Sequence, residues 1–155
     1  MVLNGGLQKI GGCAFYDCRS LESITLPSTV TEIGSSAFIN CKQLREVVFN
    51  DGLQKIGENA SNRAFRNCNN FRNCYSLKEV VLNEVLQKIG QQAFDNCTSL
   101  SSITLPSTVT EIGENAFGGC NNLKEVQLND GLQKIGTCAF HGSTSLESIT
   151  LPSTV

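Results

Sequence analysis

Apolar residues recur along this chain in a pattern that is repeated from one stretch to the next. The phrase L-x-x-I-G-x-x-A-F-x-x-C-x-x-L-x-x-(I/V)-x-L is found six times, and most successive copies are 23 residues apart. The end of the phrase alternates apolar and polar residues, as in Leu21-x-x-Ile24-x-Leu26. Such alternation predicts a short β-strand with one buried face.

The rest of the phrase predicts a second short strand and a compact turn. The segment 30–34, V-T-E-I-G, alternates in the same way and ends in a glycine that can adopt positive φ. The run A-F-x-x-C-x-x-L at 37–44 spaces apolar residues by three, which is typical of one helical or 3₁₀ turn. Each unit is therefore expected to contain a strand, a turn, a second short strand and a short helical turn.

A chain of such units is predicted to form a stack, because one unit alone buries too little apolar surface to fold. We expect a single array with units at 6–28, 29–51, 52–84, 85–107, 108–130 and 131–155. One phenylalanine marks the same position in each unit: Phe15, Phe38, Phe65, Phe94, Phe117 and Phe140. The third unit is longer, with insertions predicted near 58–63 and 69–74, and F-R-N-C occurs in it twice, at 65–68 and 71–74.

The segment 26–44, L-P-S-T-V-T-E-I-G-S-S-A-F-I-N-C-K-Q-L, resembles the BspA-like class of leucine-rich repeats. The resemblance covers essentially the whole chain, and I-G-x-x-A-F-x-x-C is its most specific part. It implies a leucine-rich-repeat solenoid, α/β or mostly β, with a parallel β-sheet on one face and short helical turns on the other. It also implies a binding or adhesion module that is displayed at the cell surface and is not an enzyme.

The composition argues against several classes of function. Lys and Arg number 12 against 14 Asp and Glu, a net charge of −2, so we expect no nucleic-acid partner. The longest aliphatic runs, such as 80–82, are too short for a transmembrane helix, so no membrane insertion is expected. The first residues lack the charged and apolar regions of a signal peptide, which leaves the compartment open.

Most of the eight cysteines occupy one repeat position, three residues after the repeat phenylalanine. Free cysteine behaves as a small buried hydrophobe, so these are predicted to be reduced core thiols: Cys18, Cys41, Cys68, Cys97 and Cys120. The other three, Cys13, Cys74 and Cys138, are expected to be more exposed. The only histidine, His141, is expected in a solvent-facing turn, and no C-x-x-C pair is present. We therefore expect no catalytic residue, metal or cofactor, although thiol chemistry at the exposed cysteines is a third functional hypothesis.

Charges alternate in sign along the predicted second strands. Consecutive units carry opposite charges at one position: Lys9, Glu32 and Lys55, then Lys88, Glu111 and Lys134. Neighbouring strands lie about 4.8 Å apart, so these charges are predicted to pair. The alternation breaks between Lys55 and Lys88, where the insertions intervene. The insertion is interpreted either as a recombination seam or as a binding loop with the basic residues Arg63, Arg66 and Arg72.

The remaining candidate surface is the face of the predicted sheet. Alternation points two side chains of each strand outward, and these form the candidate binding face: Ser23, Thr25, Glu46, Val48, Glu79, Val81, Ser102, Thr104, Glu125, Gln127, Ser148 and Thr150. Concave solenoid faces commonly bind partners, so we expect recognition of a protein or cell-surface ligand. The alternative is a structural spacer of a longer repeat protein, without its own ligand. End-to-end self-association is also expected, because end strands have unpaired edges.

Overall fold

The computed structural model of the 155-residue chain describes residues 1–49, 51–53, 55–56 and 71–150, with the backbone alone at Lys55. These residues form a parallel β-solenoid, which confirms the solenoid predicted from the repeat. Each unit adds one two-residue strand and one three-residue strand to the stack. The two-residue strands form a wall that we call the side sheet, and the three-residue strands form the strand face.

All strand pairs are parallel, and equivalent residues of successive units lie side by side, as Ile24 does with Val47. The side sheet has six strands, and neighbouring strands of the sheet come from successive units. Its strands are β1 (Lys9–Ile10), β3 (Glu32–Ile33), β5 (Lys55–Ile56), β7 (Lys88–Ile89), β9 (Glu111–Ile112) and β11 (Lys134–Ile135). The strand face contains β2 (Ser23–Thr25), β4 (Glu46–Val48), β6 (Glu79–Val81), β8 (Ser102–Thr104), β10 (Glu125–Gln127) and β12 (Ser148–Thr150).

The third wall of each unit is a run of tight turns, and the prediction of a short helical turn is wrong. Cys41 N–H donates to the Phe38 carbonyl at 3.3 Å, and Leu44 N–H donates to the Cys41 carbonyl at 3.0 Å. These are single turns rather than a helix, because left-handed residues interrupt the run: Ser36 (φ 61°) lies before the first turn and Asn40 (φ 61°) lies within it. The described residues contain no helix, and so none that could cross a membrane.

A column of stacked phenylalanine rings forms the centre of the core. Phe15, Phe38, Phe71, Phe94, Phe117 and Phe140 stack nearly parallel, with ring centroids 5.0–5.4 Å apart. The third ring of this column was expected to be Phe65, which lies outside the described residues. Phe71, expected in an insertion, occupies that place and is fully buried. The ten additional residues of the third unit therefore fall between Ile56 and Phe71 in the sequence.

A column of thiols runs beside the rings, and each thiol donates a hydrogen bond to a phenylalanine carbonyl of the preceding unit. The donor–acceptor distances are 3.0–3.2 Å for Cys41 to Phe15, Cys74 to Phe38, Cys97 to Phe71 and Cys120 to Phe94. Burial of Cys41, Cys97 and Cys120 confirms the predicted core thiols. Cys74 was expected to be exposed, and this is wrong, because it is fully buried in the repeat position. Cys18 is half-buried in the first unit, and Cys68 lies outside the described residues.

Ion pairs cross the side sheet as the alternation of charge predicts. Lys9 Nζ lies 2.8 Å from a Glu32 carboxylate oxygen, and the Glu111 carboxylate lies 3.2 Å from Lys88 Nζ and 2.6 Å from Lys134 Nζ. The insertion does not separate the two lysines at the break, because β5 and β7 are paired with Lys55 in register with Lys88.

Candidate binding face

The strand face consists of side chains that alternate with core residues along each three-residue strand. The middle residue of the first five of these strands points into the core, and Ile24, Val47, Ile103 and Val126 are almost fully buried, whereas Ile149 of β12 is 36% exposed. The flanking residues are the twelve positions of the candidate binding face. Ten of them are exposed, whereas Thr25 and Val48 are half-buried. The face is therefore a surface of small polar, acidic and valine side chains held on a fixed backbone.

Two rows of like residues stand side by side on β4 and β6. Glu46 is in register with Glu79, and Val48 is in register with Val81, which is 49% exposed. Neither glutamate has an ion-pair partner among the described residues. The two carboxylates and the two valines give this part of the face both negative charge and an apolar contact surface.

The other half of the face is joined internally by side-chain hydrogen bonds. Thr104 Oγ1 donates to Gln127 Oε1 at 3.4 Å, and Gln127 Nε2 donates to the Glu125 carboxylate at 3.0 Å. The Glu125 carboxylate therefore already has a partner on its own strand. Its equivalent on β6, Glu79, has none in the part of the chain that the structure describes.

The strand face is divided between β6 and β8. It consists of two three-stranded sheets, β2-β4-β6 and β8-β10-β12. Both β6 and β8 are fully described, and no backbone hydrogen bond joins them. A groove of about 400 Å³ lies at the division, which we call the β6–β8 groove. Residues that line it include Glu79, Val81, Glu84, Thr104, Pro106 and Ser107.

Comparison with protein families gives one match that spans the chain. The model of the BspA-type leucine-rich-repeat region matches residues 1–73 and 66–155, with six copies. The chain belongs to the BspA-type leucine-rich-repeat family. No curated protein matches it.

Several solved structures similar to this BspA-type chain are leucine-rich proteins. A leucine-rich repeat protein from Bacteroides ovatus is 37% identical with a TM-score of 0.81, over 94% of this chain and 35% of that one. A leucine rich cell surface protein from Faecalibacterium prausnitzii is 31% identical with a TM-score of 0.73, over 82% of this chain and 31% of its own. The T. pallidum leucine rich repeat protein is 32% identical with a TM-score of 0.73, and the match covers 94% of this chain and 77% of the T. pallidum chain. This BspA-type chain thus spans about a third of the first two structures.

Arg72, the one described residue of the predicted basic loop, is not part of the strand face of this BspA-type chain. Arg72 follows the ring of Phe71 in the turn wall, where its Nε lies 3.0 Å from an Asp95 carboxylate oxygen. Burial raises the pKa of Asp95, and the nearby Arg72 charge opposes that shift. Arg63 and Arg66 lie outside the described residues. The one described arginine of the set is therefore engaged in an ion pair within the turn wall.

The cysteines of this BspA-type chain divide into inert and accessible thiols. Burial raises the pKa of Cys120 to about 12 and that of Cys97 well above its ordinary value, so neither forms a thiolate near neutral pH. Cys13 and Cys138 are exposed, as the sequence predicts. His141 is also exposed, in the turn that follows the last phenylalanine of the column.

Proposed function

We propose that this BspA-type chain is a non-catalytic recognition module that binds a protein or cell-surface ligand through its strand face. The observation that supports this most strongly is the arrangement of that face. In all but the last strand, the side chains of the face project from strands whose alternate residue is buried in the core, so a ligand meets a preorganised surface and little ordering entropy is lost on binding.

The relatives are consistent with this proposal. The B. ovatus and T. pallidum proteins are described as leucine-rich repeat proteins, and the F. prausnitzii protein is described as a leucine rich cell surface protein. Repeat scaffolds of this kind offer an extended surface rather than an enclosed cavity. Surface display of this chain is part of the proposal, and end-to-end self-association stays a prediction.

A matched pair of variants tests the use of the strand face. The double variant Glu46→Lys/Glu125→Lys reverses two charges on the face, and Asp51→Lys/Glu114→Lys makes the same change in net charge outside the strands. A phage-displayed library of protein fragments would be selected on the immobilised parent chain, and each binder would be measured against both variants. Circular dichroism would show that both variants keep the fold.

We expect the selected fragments to lose affinity for the face variant by about tenfold or more, since a reversed charge at an interface sets like charges against each other. Affinity for the variant outside the strands should be unchanged. Fragments that respond only to the second variant would place recognition elsewhere on the molecule. A chain that selects no fragment at all would support the spacer alternative.

A further inference from the structure

The second and third units present nearly the same sequence at the strand face. The segments are R-E-V-V at 45–48 and K-E-V-V at 78–81. Their strands, β4 and β6, pair directly, with Glu46 in register with Glu79 and Val48 in register with Val81. Lys78 N–H donates to the Arg45 carbonyl at 3.1 Å, which extends the register to the residue before each strand. Each kind of side chain therefore occurs twice, side by side, on backbones about 4.8 Å apart.

These pairs form three parallel stripes, which we call the striped patch. It has a cationic stripe of Arg45 and Lys78, an anionic stripe of Glu46 and Glu79, and an apolar stripe of Val48 and Val81. Five of the six side chains are exposed, and Val48 is half-buried. Among the described residues, no ion pair joins the two charged stripes or engages either of them. All four charges are therefore available to a partner.

An exposed aromatic side chain lies next to the cationic stripe, toward the turn wall. Tyr75 is 41% exposed and precedes Lys78 by three residues, so their Cα atoms are at most about 11 Å apart. Lys42 holds the same repeat position in the second unit and is also exposed. Tyrosine and arginine are enriched among the residues that dominate binding energy at protein interfaces. The striped patch and Tyr75 thus bring aromatic, charged and apolar contacts together within two units.

The described part of the array has no second patch of this kind. The fifth unit also has lysine before glutamate, at 124–125, but Glu125 accepts a hydrogen bond from Gln127 at 3.0 Å. Its neighbouring strands, β8 and β12, carry serine and threonine instead. The cationic stripe is also short, because Glu22 precedes it in the first unit and Ser101 follows it in the fourth. Carboxylates beside and before this stripe would repel a long polyanion, so the patch favours a ligand with both signs of charge.

We propose that a partner protein docks on the striped patch through an extended segment that carries an acidic, a basic and an apolar side chain in this order. Alternate side chains of an extended segment lie on one side, about 6.6–7 Å apart. The acidic group contacts the cationic stripe, the basic group contacts the anionic stripe, and the apolar group covers the valines. The opposite order would set like charges against each other, which gives specificity. This inference rests on the proposed recognition function and adds its centre and the partner chemistry.

Two capped peptides of the same composition provide the probe. F-S-E-S-K-S-V places phenylalanine, glutamate, lysine and valine on one side of an extended chain, and F-S-K-S-E-S-V exchanges the two charges. Each would be titrated into the ¹⁵N-labelled chain, and amide chemical shifts would be followed by two-dimensional NMR. Lys78→Ser gives this position the residue of the fourth unit, Ser101. Lys124→Ser makes the same change at the same repeat position outside the striped patch and the strand face.

We expect saturable binding of F-S-E-S-K-S-V, with shifts confined to residues 42–48 and 75–81. The exchanged peptide should bind at least about tenfold more weakly, because it sets like charges against each other. Lys78→Ser should weaken binding about threefold, and Lys124→Ser should leave it unchanged. Equal affinity for the two peptides, equal weakening by the two serine variants, or no saturation at millimolar concentration would overturn the proposal. A heparin hexasaccharide that shifts the same amides at lower concentration would also overturn it, in favour of an acidic polysaccharide.

These results can be separated from the test of the recognition function itself. The fragment selection depends on reversing charges of the strand face, whereas the two peptides differ only in the order of their charges. Selected fragments that lose affinity for the face variant but bind Lys78→Ser normally and compete with neither peptide would retain the recognition function. They would reject the striped patch as its centre.

Discussion

The phenylalanine column gives the sharpest prediction about stability. Phe94 is fully buried between two parallel rings, with centroid distances of 5.2 Å to Phe71 and 5.3 Å to Phe117. Its carbonyl accepts the Cys120 thiol at 3.2 Å, so the backbone around it is also fixed by the next unit. Phe94→Ala leaves a cavity that closely packed neighbours cannot fill, and we expect a loss of about 3–5 kcal/mol in the free energy of unfolding.

Phe140 is the matched control for this substitution. It has the same repeat position but is only half-buried, and its ring has a single described neighbour, Phe117, at 5.4 Å. A half-buried ring gains only about half of the transfer free energy of a fully buried one. Phe140→Ala should therefore lower the free energy of unfolding by about 1–2 kcal/mol. The difference between the two variants therefore measures the contribution of the second ring contact and of complete burial.

Urea unfolding followed by far-ultraviolet circular dichroism would measure both costs, since the chain contains no tryptophan. Domains of ordinary size are stable by only about 5–15 kcal/mol, so the Phe94 variant should unfold at a much lower urea concentration. The slopes of the transitions should be compared, because repeat arrays can lose cooperativity and unfold in parts. If Phe94→Ala were as stable as the parent, or cost no more than Phe140→Ala, the reasoning from ring stacking would be refuted.

Three further predictions follow from other contacts. Thiol labelling at pH 8, mapped by mass spectrometry, should modify Cys138 rapidly and Cys97 slowly, because burial raises the pKa of Cys97; rapid labelling of Cys97 would contradict the buried column. Hydrogen bonds and charge from two lysines lower the pKa of Glu111, so its contribution is present above the ordinary value of 4.5 and lost as pH falls through the lowered one. Glu111→Gln should therefore cost about 0.2–1 kcal/mol per ion pair at pH 7 and less at pH 3, as measured by urea unfolding at both values. Gly113→Ala places a Cβ 2.5 Å from a backbone nitrogen of the preceding unit and should cost about 1–3 kcal/mol in the same assay, whereas Gly5→Ala meets nothing within 4 Å and should cost little.

The strands could be predicted from the sequence because two independent signals coincide in each unit. Alternation in Leu21-x-x-Ile24-x-Leu26 indicates an extended segment, and the 23-residue period requires that equivalent segments stack. The structure places Ile24 in β2 as a core residue, in register with Val47 of the next unit. A pattern that repeats in this way sets the strand position and the register together, which a single strand does not.

The turn wall was predicted incorrectly because spacing alone does not distinguish a helical turn from successive β-turns. Both geometries bring apolar residues together at intervals of three. The distinguishing signal lies in the residue two places after each ring, which is Asn40, Asn73 or Asn96 in the middle units and Gly119 in the fifth. Asparagine and glycine tolerate left-handed backbone, and all four have positive φ in the structure. A helix cannot continue through such a residue.

The position of the third ring was predicted incorrectly because F-R-N-C occurs twice, and counting from the preceding unit selects the first copy. Counting backwards from Leu77, which holds the position of the leucine that follows the ring in every unit, selects the second copy. Phe71 lies six residues before Leu77, as Phe38 lies six before Leu44, and this spacing is the one that the core preserves. Every third residue of the turn between ring and strand is buried in the core, namely Phe71, Cys74 and Leu77, so an added residue there would move these side chains out of register. The segment before the ring is where the additional residues fall.

The β6–β8 groove could not be predicted, because the repeat pattern assumes that every strand pairs with the next. The sequence does show that the order of unit types changes nearby. Strands with serine and threonine at their outward positions otherwise alternate with strands that begin with glutamate, but Glu46 and Glu79 occupy adjacent strands. Their shared register concentrates charge on the strand that borders the groove. A perfectly regular solenoid presents the same surface at every unit, so a ligand has no reason to prefer one position. Here the doubled glutamate row and the interrupted pairing between β6 and β8 occur together, and the combination gives the described part of the array one position that differs from the others.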